Sequence, residues 1–145
     1  MCVVSKEIIT TPGTHMMPDG SIEIYIPIPP ITKKNHQQIF QRKNGARFIT
    51  SSEKYKQYQR ECMYFLKELN IDYPVNVEAH YYMPTRRKVD ITNLHNALHD
   101  ILVAAHVLKD DNCRIIVSTD GSRVKYRKNN GGTWIKIEKS EFHFD

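Results

Sequence analysis

The sequence predicts an α+β fold: a single domain in which a mixed β-sheet packs against two main helices. Three observations lead there. Apolar residues alternate with polar ones in the runs at 21–28, 75–83 and 133–138, as strands with one buried face require. Two other stretches, after residues 50 and 90, repeat apolar residues at three- and four-residue steps, the mark of an amphipathic helix. A chain of 145 residues is also long enough to bury a core without disulfide or metal staples.

The elements follow in order. Residues 1–20 read as an N-terminal extension or an edge strand, broken by Pro12, Gly13, Pro18 and Gly20. Residues 21–145 form the main domain. A first strand spans 21–28 and is ended by Pro29 and Pro30. Residues 38–40 and 47–49 pair as a hairpin across Asn44 and Gly45, a strong hairpin signal. Thr50 and Glu53 make a capping-box pattern for a helix with Tyr55, Tyr58, Cys62, Phe65, Leu66 and Leu69 on its buried stripe, ending near Asn70. A strand covers 75–83 and stops at Pro84. Leu94, Ala97, Leu98, Ile101, Leu102 and Ala105 mark the apolar face of the second helix. A strand at 113–118, a turn at Gly121, and a pair of strands at 123–127 and 133–138 joined across 129–132 complete the chain.

Bulk composition narrows the function. The formal net charge is +5 and the pI about 9.1, which fits an anionic partner. The basic residues bunch at Lys33 and Lys34, Arg42 and Lys43, Arg86 to Lys88, and Arg123, Lys125, Arg127 and Lys128, with Tyr81, Tyr82 and Tyr126 among them. Such bunches bordering strands and loops suit a phosphate track. Cys2, Cys62 and Cys113 are scattered, with no CxxC pair and no secretory signal, so a reducing cytoplasm is the expected location. No apolar run approaches the roughly 20 residues that span a bilayer, and no membrane role is expected.

The most informative stretch is KVDITNLHNALHDILVAAHVLKDDN, at 88–112. It sets Asp90 before a helix, Asp100 within it, and Asp110 and Asp111 after it, and oxygen ligands of this kind suit Mg²⁺ or Mn²⁺. At about 100° per residue, Asn93, Asn96 and Asp100 share one polar flank of the helix while His95 and His99 share the other. Asp90 or Thr92 caps the helix start, where exposed backbone donors favour phosphate or carboxylate groups. His95 and His99 superficially match HExxH, but Asn96 stands where the catalytic glutamate belongs. His106 falls near the helix end, a favourable position in the helix dipole.

These residues resemble the RusA-type Holliday junction resolvases, small endonucleases common in phages and prophages. The resemblance covers about residues 22–138. It rests on Asp90-Ile91-Thr92-Asn93, the following helix with Ala97, the segment Val107 to Asp111, and the early PPITKKN at 29–35. In that family an Asp-x-Asp-Asn motif begins the helix, a lysine follows one turn later, and a further aspartate comes after the helix. Asp90, Asn93 and Asp111 match. Thr92 replaces the second aspartate and Asn96 the lysine. The same Asp-x-Thr-Asn wording occurs in a phage and Gram-positive branch that also carries DGSR, here Asp120, Gly121, Ser122 and Arg123.

The resemblance implies a metal-dependent endonuclease acting on branched DNA as a homodimer. Asp90, Asp111 and Asp120 would be catalytic and, with Asp110, hold Mg²⁺ or Mn²⁺, Asp120 replacing the missing carboxylate. Arg123 or His95 would supply charge near the phosphate. Thr92, Asn93, Asn96 and Asp100 would support the site from the helix. Lys33, Lys34, Asn35, Arg86, Arg87, Lys88, Arg123 and Lys125 would contact DNA. Two rivals stand beside this reading: a branched-DNA-binding relative that Thr92 and Asn96 have made inactive, and a zinc hydrolase built on His95 and His99.

Overall fold

Isoleucine at 22, 24 and 26 and valine at 75 and 77 send one row of apolar side chains to the same side of their strands, and that row is the floor of the core. The structure is a computed structural model and describes residues 8–33, 38–41, 47–50 and 53–144. Its elements run β1 (Gly13–Met16), β2 (Ile22–Ile26), β3 (Gln38–Gln41), β4 (Arg47–Thr50), α1 (Glu53–Cys62), a 3₁₀ turn at Met63–Phe65, β5 (Val75–Met83), α2 (Ile91–Ala104), β6 (Ile116–Ser118), β7 (Arg123–Tyr126) and β8 (Gly132–Lys139). The main sheet has the order β1-β2-β8-β5-β6, with β7 also paired to β5. β1, β2, β8 and β5 are antiparallel neighbours, whereas β6 and β7 run parallel to β5. The expected mixed sheet and two helices are both present, and the N-terminal region supplies an edge strand, β1.

One face of the sheet packs on the helices. Leu94, Ala97, Leu98, Ile101 and Leu102 of α2 and Tyr55, Tyr58 and Cys62 of α1 join Ile24, Val77, Ala79, Tyr81 and Ile135 in one buried cluster. The other face is a polar-aromatic layer. Trp134 donates its indole N–H to Glu23 at 3.0 Å, His80 meets the Trp134 ring edge-on, and Ile8 packs against Tyr25, Tyr82 and Trp134. With both faces covered, β8 is buried from Gly132 to Ile137 and takes the centre of the sheet.

That burial overturns one expected pairing. β7 does not form a hairpin with β8; it lies along β5, with His80 opposite Arg123 and Met83 opposite Tyr126. β7 is exposed at all four residues, so it belongs at an edge, and the 127–131 link passes over the end of β5, where Arg127 N–H donates to the Met83 carbonyl at 2.9 Å.

Three boundaries also move. β2 stops at Ile26 because Pro27 has no N–H to give the ladder. α1 ends at Cys62 and not near Asn70: the Phe65 carbonyl accepts the Thr14 hydroxyl at 2.8 Å, and Leu69 and Asn70 donate to His106 O, so Leu66 and Leu69 reach the core from extended chain. β6 begins at Ile116 because Ile115 and Ile116 N–H close a turn on the Asn112 carbonyl. The β3–β4 hairpin is present as a separate two-stranded sheet, while its Asn44-Gly45 turn lies outside the described residues. Thr50 ends β4 and Glu53 is the first residue of α1, so the helix starts later than the expected Thr50–Glu53 capping box requires; residues 51–52 between them lie outside the described residues.

Candidate active site

Thr-Asn-Leu after Asp90 begins a helix with a polar flank, and the local geometry makes Asp90 its N-cap. Asp90 is extended at φ −91°, ψ 130°, and its side chain makes no capping hydrogen bond; its carbonyl instead accepts the N–H groups of Asn93 and Leu94. The carboxylate thus points away from helix duty at an end where unsatisfied N–H groups favour anions. Asn93 Nδ2 approaches it at 3.5 Å. Thr92 and Asn96 are exposed and Asn93 half-buried.

The loop after α2 separates its two aspartates by role. His106 adopts a left-handed φ of 59° that ends the helix, and its side chain is exposed. Asp110 is spent on its own turn: it accepts the Asp111 N–H at 2.7 Å and the Asn112 amide at 2.9 Å, which hold its pKa below the usual carboxylate value. Asp111 is the opposite case. Desolvation, the Asp110 side chain and the charge of Asp100 hold its pKa above the ordinary value. A carboxylate disfavoured by desolvation and by neighbouring carboxyls is one that a nearby cation would stabilise.

Asp100 forms an ion pair with Lys33, whose ammonium also lies 5.8 Å from the Tyr55 ring. Sequence reasoning assigned Lys33 to phosphate contacts. The structure gives it to Asp100, one turn along the helix from Asn96, where the family lysine is absent. Sixty-seven residues separate the partners, and no local pattern could announce them. Lys34 and Asn35 lie outside the described residues.

Asp120 sits elsewhere. Its backbone N–H donates to Asn76 Oδ1 at 2.8 Å and its carbonyl accepts the Asn76 amide at 3.1 Å, which pins the β6–β7 turn to the start of β5. Asn76 alternates with the core residues Val75 and Val77, so it faces away from α2. The Asp120 backbone is thus held at the start of β5, against a side chain on the sheet face away from α2. Asp90 and Asp100 stand at different levels of α2, since ten residues of helix rise about 15 Å. Among the described residues no three of His, Cys, Asp and Glu stand together as metal ligands.

The histidine flank of α2 is inside the fold. Tyr81 OH lies 2.8 Å from His95 Nδ1, and the His95 and His99 rings stack at 5.4 Å and 10°. Burial lowers the pKa of His95 and takes that of His99 down to about 4, with the charge of His95 adding to it. Burial thus disfavours the charged form of both rings, and among the described residues no third metal ligand joins the stacked pair. Arg86, Arg87, Lys88, Arg123 and Lys125 are all exposed, the first three leading onto Asp90.

Residues 27–138 match the family model described as Endodeoxyribonuclease RusA. The chain belongs to the RusA endodeoxyribonuclease family. It is also 30% identical over 120 residues, 80% of this chain and 90% of the relative, to the crossover junction endodeoxyribonuclease RusA of Aquifex aeolicus. The RusA match begins in the loop that carries Lys33 and takes in Asp90, α2, Asp111 and the Asp120 turn. No described helix is long and apolar enough to cross a membrane.

Proposed function

We propose that this RusA-family chain resolves four-way DNA junctions by paired, symmetric phosphodiester hydrolysis that depends on Mg²⁺ or Mn²⁺, and that it acts in the cytoplasm as a C2 homodimer. The observation that carries the metal reading is Asp111, a carboxyl crowded by Asp110 and Asp100, in a chain whose other matching aspartate, Asp90, leaves its helix uncapped. Both offer hard oxygen donors.

One cation cannot span the helix that parts Asp90 from the Asp100 end, because its oxygen ligands lie within about 2.6 Å of it. A two-fold axis solves the problem by setting Asp90 of one copy against Asp111 of the other, and it delivers the two symmetric cuts that a junction needs. Asp90 and Asp111 would hold this cation, whose chemistry there would be to polarise the scissile phosphodiester and stabilise the departing 3′-oxygen. The protein's own part is positioning. Asp100 orients Lys33, which places a positive charge where Asn96 cannot and so favours the charge that develops on the phosphate. Arg86, Arg87, Lys88, Arg123 and Lys125 grip backbone phosphates, which fixes register without a base code.

Thr92 supports the alternative of a binding-only relative, since a neutral hydroxyl replaces a charged ligand. Incubation of end-labelled four-way junctions and sequence-matched linear duplexes with the protein in Mg²⁺ decides between the two. Paired nicks at symmetric positions of the junction alone are the expected result, and intact junctions in stable complexes would give the function to the rival. Asp120→Asn runs alongside. A wild-type rate for that variant removes Asp120 from the metal set, as its place beside Asn76 suggests.

A further inference from the structure

The alternation of β7 sends Val124 and Tyr126 to the core side of the sheet, in register with Tyr81 and Met83 of β5. Tyr81 is buried and Met83 packs against the core. Val124 and Tyr126 do not share that cover: they are 39% and 42% exposed, an apolar continuation of the core face at the sheet edge. A shallow groove joins them to the loop that leads into α2, and its lining carries Arg86, Arg87 and Lys125 but no carboxylate. The Arg86 guanidinium stands 4.2 Å from the Tyr126 ring centroid, which holds the ring in place by a cation–π contact. Asp90 follows Arg87 by three positions.

We propose that Tyr126, braced by Arg86, is a stacking platform for an unstacked nucleobase of branched DNA, beside the Asp90 end of the active site; this rests on the proposed function. The apolar ring face takes the base, and the three cations take the phosphates on either side of it. Stacking of this kind tolerates any base, because each has a π-face. It also selects for structure: a branch point can offer a base released from its neighbours, and an intact linear duplex does not. A second copy of the chain suits the groove less well, because a two-fold contact there would bring two sets of three cations together without a counter-charge.

The test measures fluorescence anisotropy of labelled four-way junctions and linear duplexes with wild type, Tyr126→Ala and Tyr126→Phe, in Ca²⁺ or EDTA to prevent cutting, with light scattering of each protein. The expected result is a loss of junction affinity for Tyr126→Ala of about 5- to 100-fold, duplex affinity within about twofold, an unchanged salt slope because no phosphate contact is removed, and near wild-type binding for Tyr126→Phe. Equal losses on junction and duplex, or no loss on either, would overturn the platform while leaving junction preference intact. Conversion of a dimer to a monomer by Tyr126→Ala would overturn it too, by making the groove a contact between copies. A wild type that binds junctions no better than duplexes removes the functional reading itself, and the platform with it.

Discussion

His99 ties the stability of the fold to pH in a way that can be sized from the structure. Its ring lies against His95, its Nε2 is buried without a hydrogen-bond partner among the described residues, and burial lowers its pKa from 6.5 to about 4. A histidine whose folded-state pKa lies below its unfolded value favours the fold in its neutral form. That contribution is fully present above pH 6.5 and drains away as pH falls from there through about 4. The gap of roughly 2.5 pK units corresponds to about 3 kcal/mol, a large part of the 5–15 kcal/mol that roughly spans domain stabilities. The perturbation is His99→Leu, which keeps the bulk and removes the titration. Urea unfolding at a series of pH values between 7.5 and 4.5 reads the difference between variant and wild type, so the carboxylates common to both cancel. We expect the two proteins to be within about 1 kcal/mol at pH 7.5, and the variant to be the more stable by about 2–3 kcal/mol at pH 4.5. Stability curves that stay parallel across the series would refute a buried, neutral His99.

Other consequences bear on the turn and on the site. Gly121 has φ +88°, and a Cβ there would sit 2.8 Å from Glu78 Cδ; Gly121→Ala should cost about 1–2 kcal/mol in chemical denaturation, and a neutral effect would mean that the β6–β7 turn relaxes freely. Lys33→Ala should slow junction cleavage about tenfold or more while junction affinity stays within about threefold, with partial recovery in Lys33→Arg; equal losses in rate and affinity would make Lys33 a phosphate contact after all. Co-expression of Asp90→Asn and Asp111→Asn chains should restore single nicks, because a mixed dimer keeps one intact Asp90–Asp111 pair across its axis. Silence of the mixture in the presence of mixed dimers would place both aspartates in a site within one chain.

Much of the fold was legible where one period dominates. β5 alternates from Val75 to Tyr81, and α2 keeps its apolar stripe from Leu94 to Leu102, so both elements and their buried faces could be read directly. The errors arose where a local signal was overruled by burial. The turn at 129–132 looks like a hairpin link, yet β8 is buried on both faces and β7 on neither, which sets β5 between them. Phe65, Leu66 and Leu69 continue the helical step of α1, but the Thr14 hydroxyl and the His106 carbonyl hold the backbone after the 3₁₀ turn in extended chain.

The candidate aspartates were visible in sequence as types and not as an arrangement. Asp110 and Asp111 are adjacent and chemically identical, and only the turn that occupies Asp110 tells them apart. Lys33 and Asp100 meet through the packing of the β2 exit loop on α2, a contact without a sequence period. The histidines of α2 look like a polar flank on a helical projection, while the sheet beneath makes them half-buried, with Tyr81 as the partner of His95.

The central claim is that this RusA-family chain cuts junctions with a metal held by Asp90 and Asp111 despite Thr92 and Asn96. Its most direct test is cleavage of an end-labelled four-way junction in Mg²⁺, Mn²⁺ or EDTA by wild type, Asp90→Asn and Asp111→Asn. The account predicts symmetric nicks with either metal, none in EDTA, and none from either variant. Tight binding without nicks, the same in all three proteins, would contradict it.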